Sequence, residues 1–116
     1  MNRINSSAIV LAVSLACSVS AMAQNISKSE YKAAEKHIAA EYKSAKAKCG
    51  SLAGNAKDIC LEEAKGKKKV AKAELEARYK PSKKADYQVR VAKAEAEYAV
   101  AKKSAMTKRA TTSRCA

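Results

Sequence analysis

Residues 49–60 determine the fold, and they read Cys49-Gly50-Ser51-Leu52-Ala53-Gly54-Asn55-Ala56-Lys57-Asp58-Ile59-Cys60. Glycine is a poor helix former, so Gly50 and Gly54 predict a turn in a chain otherwise dominated by alanine and lysine. Cys49 and Cys60 flank the turn. In an oxidising compartment they are expected to form a disulfide that ties the end of one helix to the start of the next. A loop of this length predicts a stabilisation of about 3 kcal/mol.

The segment before this turn predicts a helix over residues 27–49. Ser27 or Ser29 can cap its N-terminus, and Glu30 suits the positive end of the helix dipole. After the turn, Asn55 can cap a second helix, with Asp58 three positions on acting as a capping-box acid.

The second helix is predicted to reach about residue 80, although Gly66 and the lysines that follow it weaken its middle. Pro81 marks the next boundary, and Ser82 can cap a third helix from residue 83 to about 103 or beyond.

Large apolar side chains are scarce in this chain. It contains five Tyr but no Phe or Trp, and alanine, which supplies most of the apolar count, favours helix while burying little area. The sequence therefore predicts an all-α fold of extended helical hairpins with a disulfide-tied loop, and a disordered C-terminal tail. The alternative is a largely disordered basic chain.

The spacing of the tyrosines predicts an internal repeat. Tyr87 and Tyr98 follow Tyr31 and Tyr42 by 56 residues, the difference between 87 and 31 and again between 98 and 42. Spacings of four and three, typical of a coiled-coil seam, connect two sets of residues. They are Tyr31, Glu35, Ile38, Tyr42, Ala45 and Cys49, and Tyr87, Val91, Ala94, Tyr98, Ala101 and Ala105. The sequence predicts two copies of one helical unit. The alternative is ordinary helical periodicity in an alanine-rich chain.

Residues 1–23 predict a secretory signal peptide. A basic start at Arg3 precedes a largely apolar stretch, and Ala21-Met22-Ala23 has the form of a cleavage site, so cleavage is expected after Ala23. No later segment approaches the roughly 20 apolar residues of a transmembrane span. Lipidation at Cys17 is disfavoured because Ser14 stands where a lipoprotein motif has Leu or Val. The expected location is the periplasm.

The units that follow are a helical hairpin repeat over residues 24–82, the first helix of a second unit over 83–102, and a divergent tail over 103–116.

The tail can be translated back into DNA with codons chosen for the purpose. When one nucleotide is inserted after codon 102 of that DNA, the sequence from Ala101 becomes A-K-E-K-C-D-D-K-A-G-N-D-K-P-V-C. This aligns with residues 45–60 and restores cysteines at the repeat positions of Cys49 and Cys60. The hypothesis is a reading-frame shift, and the alternative is a genuine divergent terminus. Cys115 has no evident partner.

The formal net charge is +13, and it is spread as mixtures of Lys and Glu except at Lys65, Lys67, Lys68 and Lys69. Such a surface attracts anionic partners, and in the periplasm these are lipopolysaccharide, anionic lipid and wall polymers. Nucleic acid is not an expected partner in that compartment, whereas an envelope protein or a second copy of the chain is. The plainer interpretation of these lysines is a solvated helix face.

No catalytic constellation is evident, so the chain is predicted not to be an enzyme and to need no cofactor or metal. His37 is the only histidine and is expected to face solvent. Glu62 and Glu63 are adjacent on a helix, and their side chains diverge by about 100 degrees, so they do not form a carboxylate pair.

The signal, the Ala/Lys/Glu-rich helices and the Cys49–Cys60 element together resemble the small exported repeat proteins of Gram-negative bacteria labelled TolA-like or cell envelope biogenesis proteins. The resemblance covers residues 28–102 and implies a non-enzymatic structural or interaction role in the cell envelope. The alternative function is a cationic module that binds anionic envelope surfaces.

Overall fold

A computed structural model describes residues 25–114 of the chain. They form three helices, α1 (Lys28–Cys49), α2 (Gly54–Tyr79) and α3 (Lys83–Arg114). The predicted all-α fold is therefore confirmed. The predicted signal peptide and Cys115 lie outside the described residues.

The three helices form an open array with α2 in the middle. Within the described residues α1 and α3 both pack on α2, more extensively in the case of α3, and α1 does not contact α3. Ala64 is buried on the side of α2 that faces α1, whereas Gly66 is buried against α3. Leu75 is also buried and, three helical turns after Ala64, lies on the same face. Each helix thus contacts only its neighbours in sequence, as in repeat proteins built from stacked helices.

Serines cap α1 and α3. The Ser27 hydroxyl accepts from the Glu30 amide at 3.2 Å, and the Glu30 carboxylate accepts from the Ser27 amide at 2.7 Å, which completes a capping box. The hydrogen bond from the Ser27 backbone, followed by that from its hydroxyl, holds the pKa of Glu30 below its ordinary value. Ser82 likewise accepts from the Ala85 amide at 3.0 Å. The sequence predictions for both helix starts are confirmed.

The start of α2 differs from the prediction. Its N-cap position is Ala53, and no side chain caps it, so the predicted capping by Asn55 is wrong. The physical reason is Gly54, whose φ of +57° lies in the left-handed region and turns the chain straight into the helix. Asn55 is consequently inside the first turn, and Cys60 lies in the second turn of α2 rather than at its start.

The helix α2 is continuous through Gly66, so it does not break at this position. A Cβ atom on Gly66 would lie 2.8 Å from the Cβ of Ala96 on α3. The absence of a side chain therefore lets the two helices approach closely, and this role of Gly66 was not predicted from the sequence.

We expect Gly66→Ala to destabilise the protein although alanine is the better helix former. The gain of about 1 kcal/mol in propensity is offset by overpacking of about 1–3 kcal/mol, since Ala96 has no flexible end that can move aside. Urea denaturation of Gly66→Ala, Ala96→Gly and the double variant would measure the coupling between the two positions. Strictly additive effects would contradict the close approach.

The face of α3 that packs on α2 is not the tyrosine seam. Ala85 and Ala92 are buried against α2, whereas Tyr87 and Tyr98 are 61% and 67% exposed. Tyr87 and Ala85 are two residues apart, about 200 degrees around the helix, and so lie on roughly opposite sides of it. The seam found by its spacing on α1 packs on α2, but its copy on α3 points away from α2.

The C-terminal tail, predicted to be disordered, is helical as far as Arg114, so that prediction is wrong. Residues 103–114 contain no Gly or Pro to stop the helix. The hydroxyls of Thr107 and Thr112 donate to the carbonyl oxygens of Lys103 and Lys108, at 3.1 Å and 3.0 Å, and are thereby satisfied inside the helix. Lys103 and Thr107 are also half-buried.

Candidate interaction surfaces

The disulfide joins Cys49 at the end of α1 to Cys60 in α2, as predicted. The two Cα atoms are 5.6 Å apart, within the range that a disulfide spans without backbone movement. Cys49 is fully buried. The bridge therefore fixes one end of the α1–α2 pair.

Tyr31 fixes the opposite end of the same pair. Its hydroxyl donates to the Glu76 carboxylate at 3.0 Å, and its ring lies 4.6 Å from the ring of Tyr79, centroid to centroid. The hydrogen bond to Glu76, followed by burial, raises the pKa of Tyr31 to about 12. This hydrogen bond requires one relative position of the two helices, and it joins residues 45 positions apart in sequence.

The middle of the pair contains Ile38, which is buried, and Tyr42. The Lys68 ammonium lies 4.3 Å from the centre of the Tyr42 ring, a cation–π contact. Beside it runs a groove of about 490 Å³ lined by residues of both helices. Thus the α1 seam recognises α2 through one carboxylate, one lysine and apolar contacts.

We expect Tyr31 to ionise late in the folded protein. Because its folded pKa of about 12 exceeds the ordinary value of 10.0 for tyrosine, neutral Tyr31 stabilises the fold below about pH 10, and this contribution is lost as pH rises through about 12. Phenolate absorbance followed with pH should contain a late step that disappears in Tyr31→Phe. The step should persist in Tyr87→Phe, and its persistence in Tyr31→Phe would contradict the assignment.

The four lysines predicted as a polyanion contact do not form one patch. Lys65 donates to Glu62 at 2.9 Å, which raises its pKa, and Lys69 pairs with Glu95 of α3. Lys68 lies over the Tyr42 ring, and Lys67 lines the grooves that flank α2. Consecutive helix positions point about 100 degrees apart, so the cluster in sequence is distributed around the helix.

Ion pairs line both edges of the α2–α3 contact. Glu74 pairs with Lys93 at 2.9 Å, and Lys69 pairs with Glu95. All four side chains are about half exposed, so each pair contributes little energy but favours one register of the two helices. A groove of about 710 Å³ runs along this contact and includes Val70 and Val100.

The remaining titratable residues considered in the sequence analysis do not form a common site. His37 is 73% exposed and lies 3.6 Å from Glu41 of the same helix. Glu62 pairs with Lys65, whereas Glu63 lines the grooves on another side of α2. Among residues 25–114 there is no group of three or more His, Cys, Asp or Glu that could hold a metal ion. In the same residues no helix is both long and apolar enough to cross a membrane.

The third candidate surface is the outward face of α3, here called the α3 stripe and defined by its six seam residues. They are Tyr87, Val91, Ala94, Tyr98, Ala101 and Ala105. All except half-buried Val91 are exposed. No protein-family model, curated protein or solved structure matches this chain. Its own geometry defines it as a small helical array with a stapled hairpin and one exposed aromatic face.

Proposed function

We propose that the chain is a non-enzymatic structural protein of the Gram-negative cell envelope, a TolA-like helical spacer that acts in the periplasm by presenting helix faces to other proteins. The observation that carries this proposal is the exposure of Tyr87 and Tyr98 on a regular helical stripe. Exposed aromatic side chains in a row favour a protein contact, since Tyr is enriched at interfaces. The sequence of residues 1–23 supports export.

The distribution of charge supports an interaction role over binding to polyanions. Three of the four clustered lysines are engaged by Glu62, Tyr42 and Glu95. A solvated surface with interspersed charges keeps a thin helical protein soluble without creating one strong anion site.

Two measurements test the proposal. Protein recovered from the periplasm should begin at Gln24, and uncleaved protein retained in the cytoplasm would contradict the proposed location. Binding to vesicles of anionic lipid and to lipopolysaccharide, titrated with salt, should be weak at about 0.15 M salt. Strong binding that falls steeply as salt rises would favour the cationic module instead.

A further inference from the structure

The α3 stripe corresponds, at the predicted repeat interval, to a surface of α1 that is occupied. Tyr31 and Tyr42 of α1 correspond to Tyr87 and Tyr98 of α3 at the 56-residue interval. On α1 the seam is covered by α2, through the hydrogen bond of Tyr31 to Glu76 and the Lys68 contact with Tyr42. The chain therefore contains, in its own α1–α2 interface, a template for what this surface binds.

The two ends of the helical array differ. The outer face of α1, opposite its seam, has exposed Ala33, Ala40 and Ala47 at intervals of seven. This face offers no large side chain to a neighbour. The outer face of α3 instead exposes two tyrosines, so this end of the array is open to a further helix.

We propose that the α3 stripe is a docking face for a helix of a separate protein that presents the pattern of the α1-facing side of α2. That pattern is Lys68, Ala71, Leu75, Glu76 and Tyr79. The partner's lysine packs over the Tyr98 ring as Lys68 packs over Tyr42, and its glutamate accepts from the Tyr87 hydroxyl as Glu76 accepts from Tyr31. The inference rests on the proposed interaction role.

The sequence differences between the α1 seam and the α3 stripe determine how tightly a partner helix is held. Ala105 stands at the position of Cys49, so no disulfide can form there with the partner. Ala94 replaces Ile38, and Val91 replaces Glu35. The docking is consequently reversible, in contrast to the stapled α1–α2 pair, and depends on the two tyrosines.

Within the same molecule α2 cannot fill this role. Its α1-facing side is covered by α1, which the disulfide holds in place, and its opposite side packs on α3 through Gly66. The second copy of the chain is for the same reason a poor donor of an α2 surface, and the occupant is assigned to a separate protein.

The test uses the full oxidised chain and, as the probe, a labelled synthetic peptide of residues 54–80 with Cys60→Ser. We expect saturable binding by fluorescence anisotropy, weakened by about tenfold or more in Tyr87→Ala/Tyr98→Ala. A Leu52→Ala/Met106→Ala protein, altered at two other exposed apolar side chains, should bind as the parent does. A peptide with Lys68→Ala and Glu76→Ala should bind less well.

Three results would overturn the inference. They are the absence of saturable binding, equal binding by the tyrosine variant and the parent, and a concentration-dependent dimer of the chain alone that Tyr87→Ala/Tyr98→Ala abolishes. The dimer would assign the stripe to a second copy. Thermal melts should show both protein variants folded, since the altered side chains are exposed. Failure of export or strong binding to vesicles would contradict the proposed function while leaving the peptide result intact.

Discussion

Removal of the Cys49–Cys60 bridge is expected to lower the free energy of unfolding by about 3 kcal/mol, the cost of freeing a loop of this length in the unfolded chain. Cys49→Ala/Cys60→Ala is the suitable variant because serine would bury a hydroxyl at the fully buried position 49. Urea denaturation followed by circular dichroism measures the change, with Cys17 and Cys115 replaced by serine in every protein to prevent thiol exchange.

Reduction of the parent protein provides the control, because it opens the bridge without changing side-chain volume. The two treatments should agree in direction and approximate size. A stability unchanged by both would show that packing alone holds α1 on α2. A loss in the double-alanine variant but not on reduction would assign the effect to the missing side chains.

Leu75→Ala is expected to lower the free energy of unfolding by about 2–3 kcal/mol. This is toward the lower end for a buried leucine, because the residues of a thin interface can move to fill part of the cavity. Leu75 is only 5% exposed, and few other large apolar side chains are buried in the described residues. It lies on the same face of α2 as Lys68 and Tyr79, seven residues after one and four before the other. The same urea measurement determines the cost.

Leu52→Ala is the matched control for this prediction. Leu52 lies in the turn after α1 and is 42% exposed, so its removal should change stability by no more than about 0.5 kcal/mol. Equal losses at positions 52 and 75 would contradict the assignment of Leu75 to the core.

The sequence predicted the elements with strong local signals. The capping serines at 27 and 82, the glycine turn and the disulfide all depend on chemistry within a few residues, and the structure contains each of them. The α1 seam was also recognisable, since Tyr31, Ile38 and Tyr42 stand out at helical spacing.

The α2–α3 packing could not be predicted in the same way. Its contact positions Ala85, Ala92 and Ala96 are alanines in an alanine-rich chain, so no difference in hydrophobicity marks them. Gly66 was interpreted as a weak point because propensity describes an isolated helix, whereas its role depends on a neighbour that is distant in sequence.

The reading-frame hypothesis for the tail stays a prediction. The helix over residues 103–114 satisfies the hydroxyls of Thr107 and Thr112 internally. The encoding DNA, read in the other frame beyond codon 102, should continue with a second Cys…Cys element; an early stop codon would contradict it.

We infer that packing holds α2 and α3 together, whereas the sulfur bridge keeps the α1 helix in place. Amide hydrogen exchange of the full chain, mapped by mass spectrometry before and after reduction, distinguishes the two contributions. We expect reduction to remove protection from residues 28–48 and to leave the middle of α2 and its α3 contacts protected. Unchanged protection of α1 after complete reduction, or an equal loss in all three helices, would contradict it.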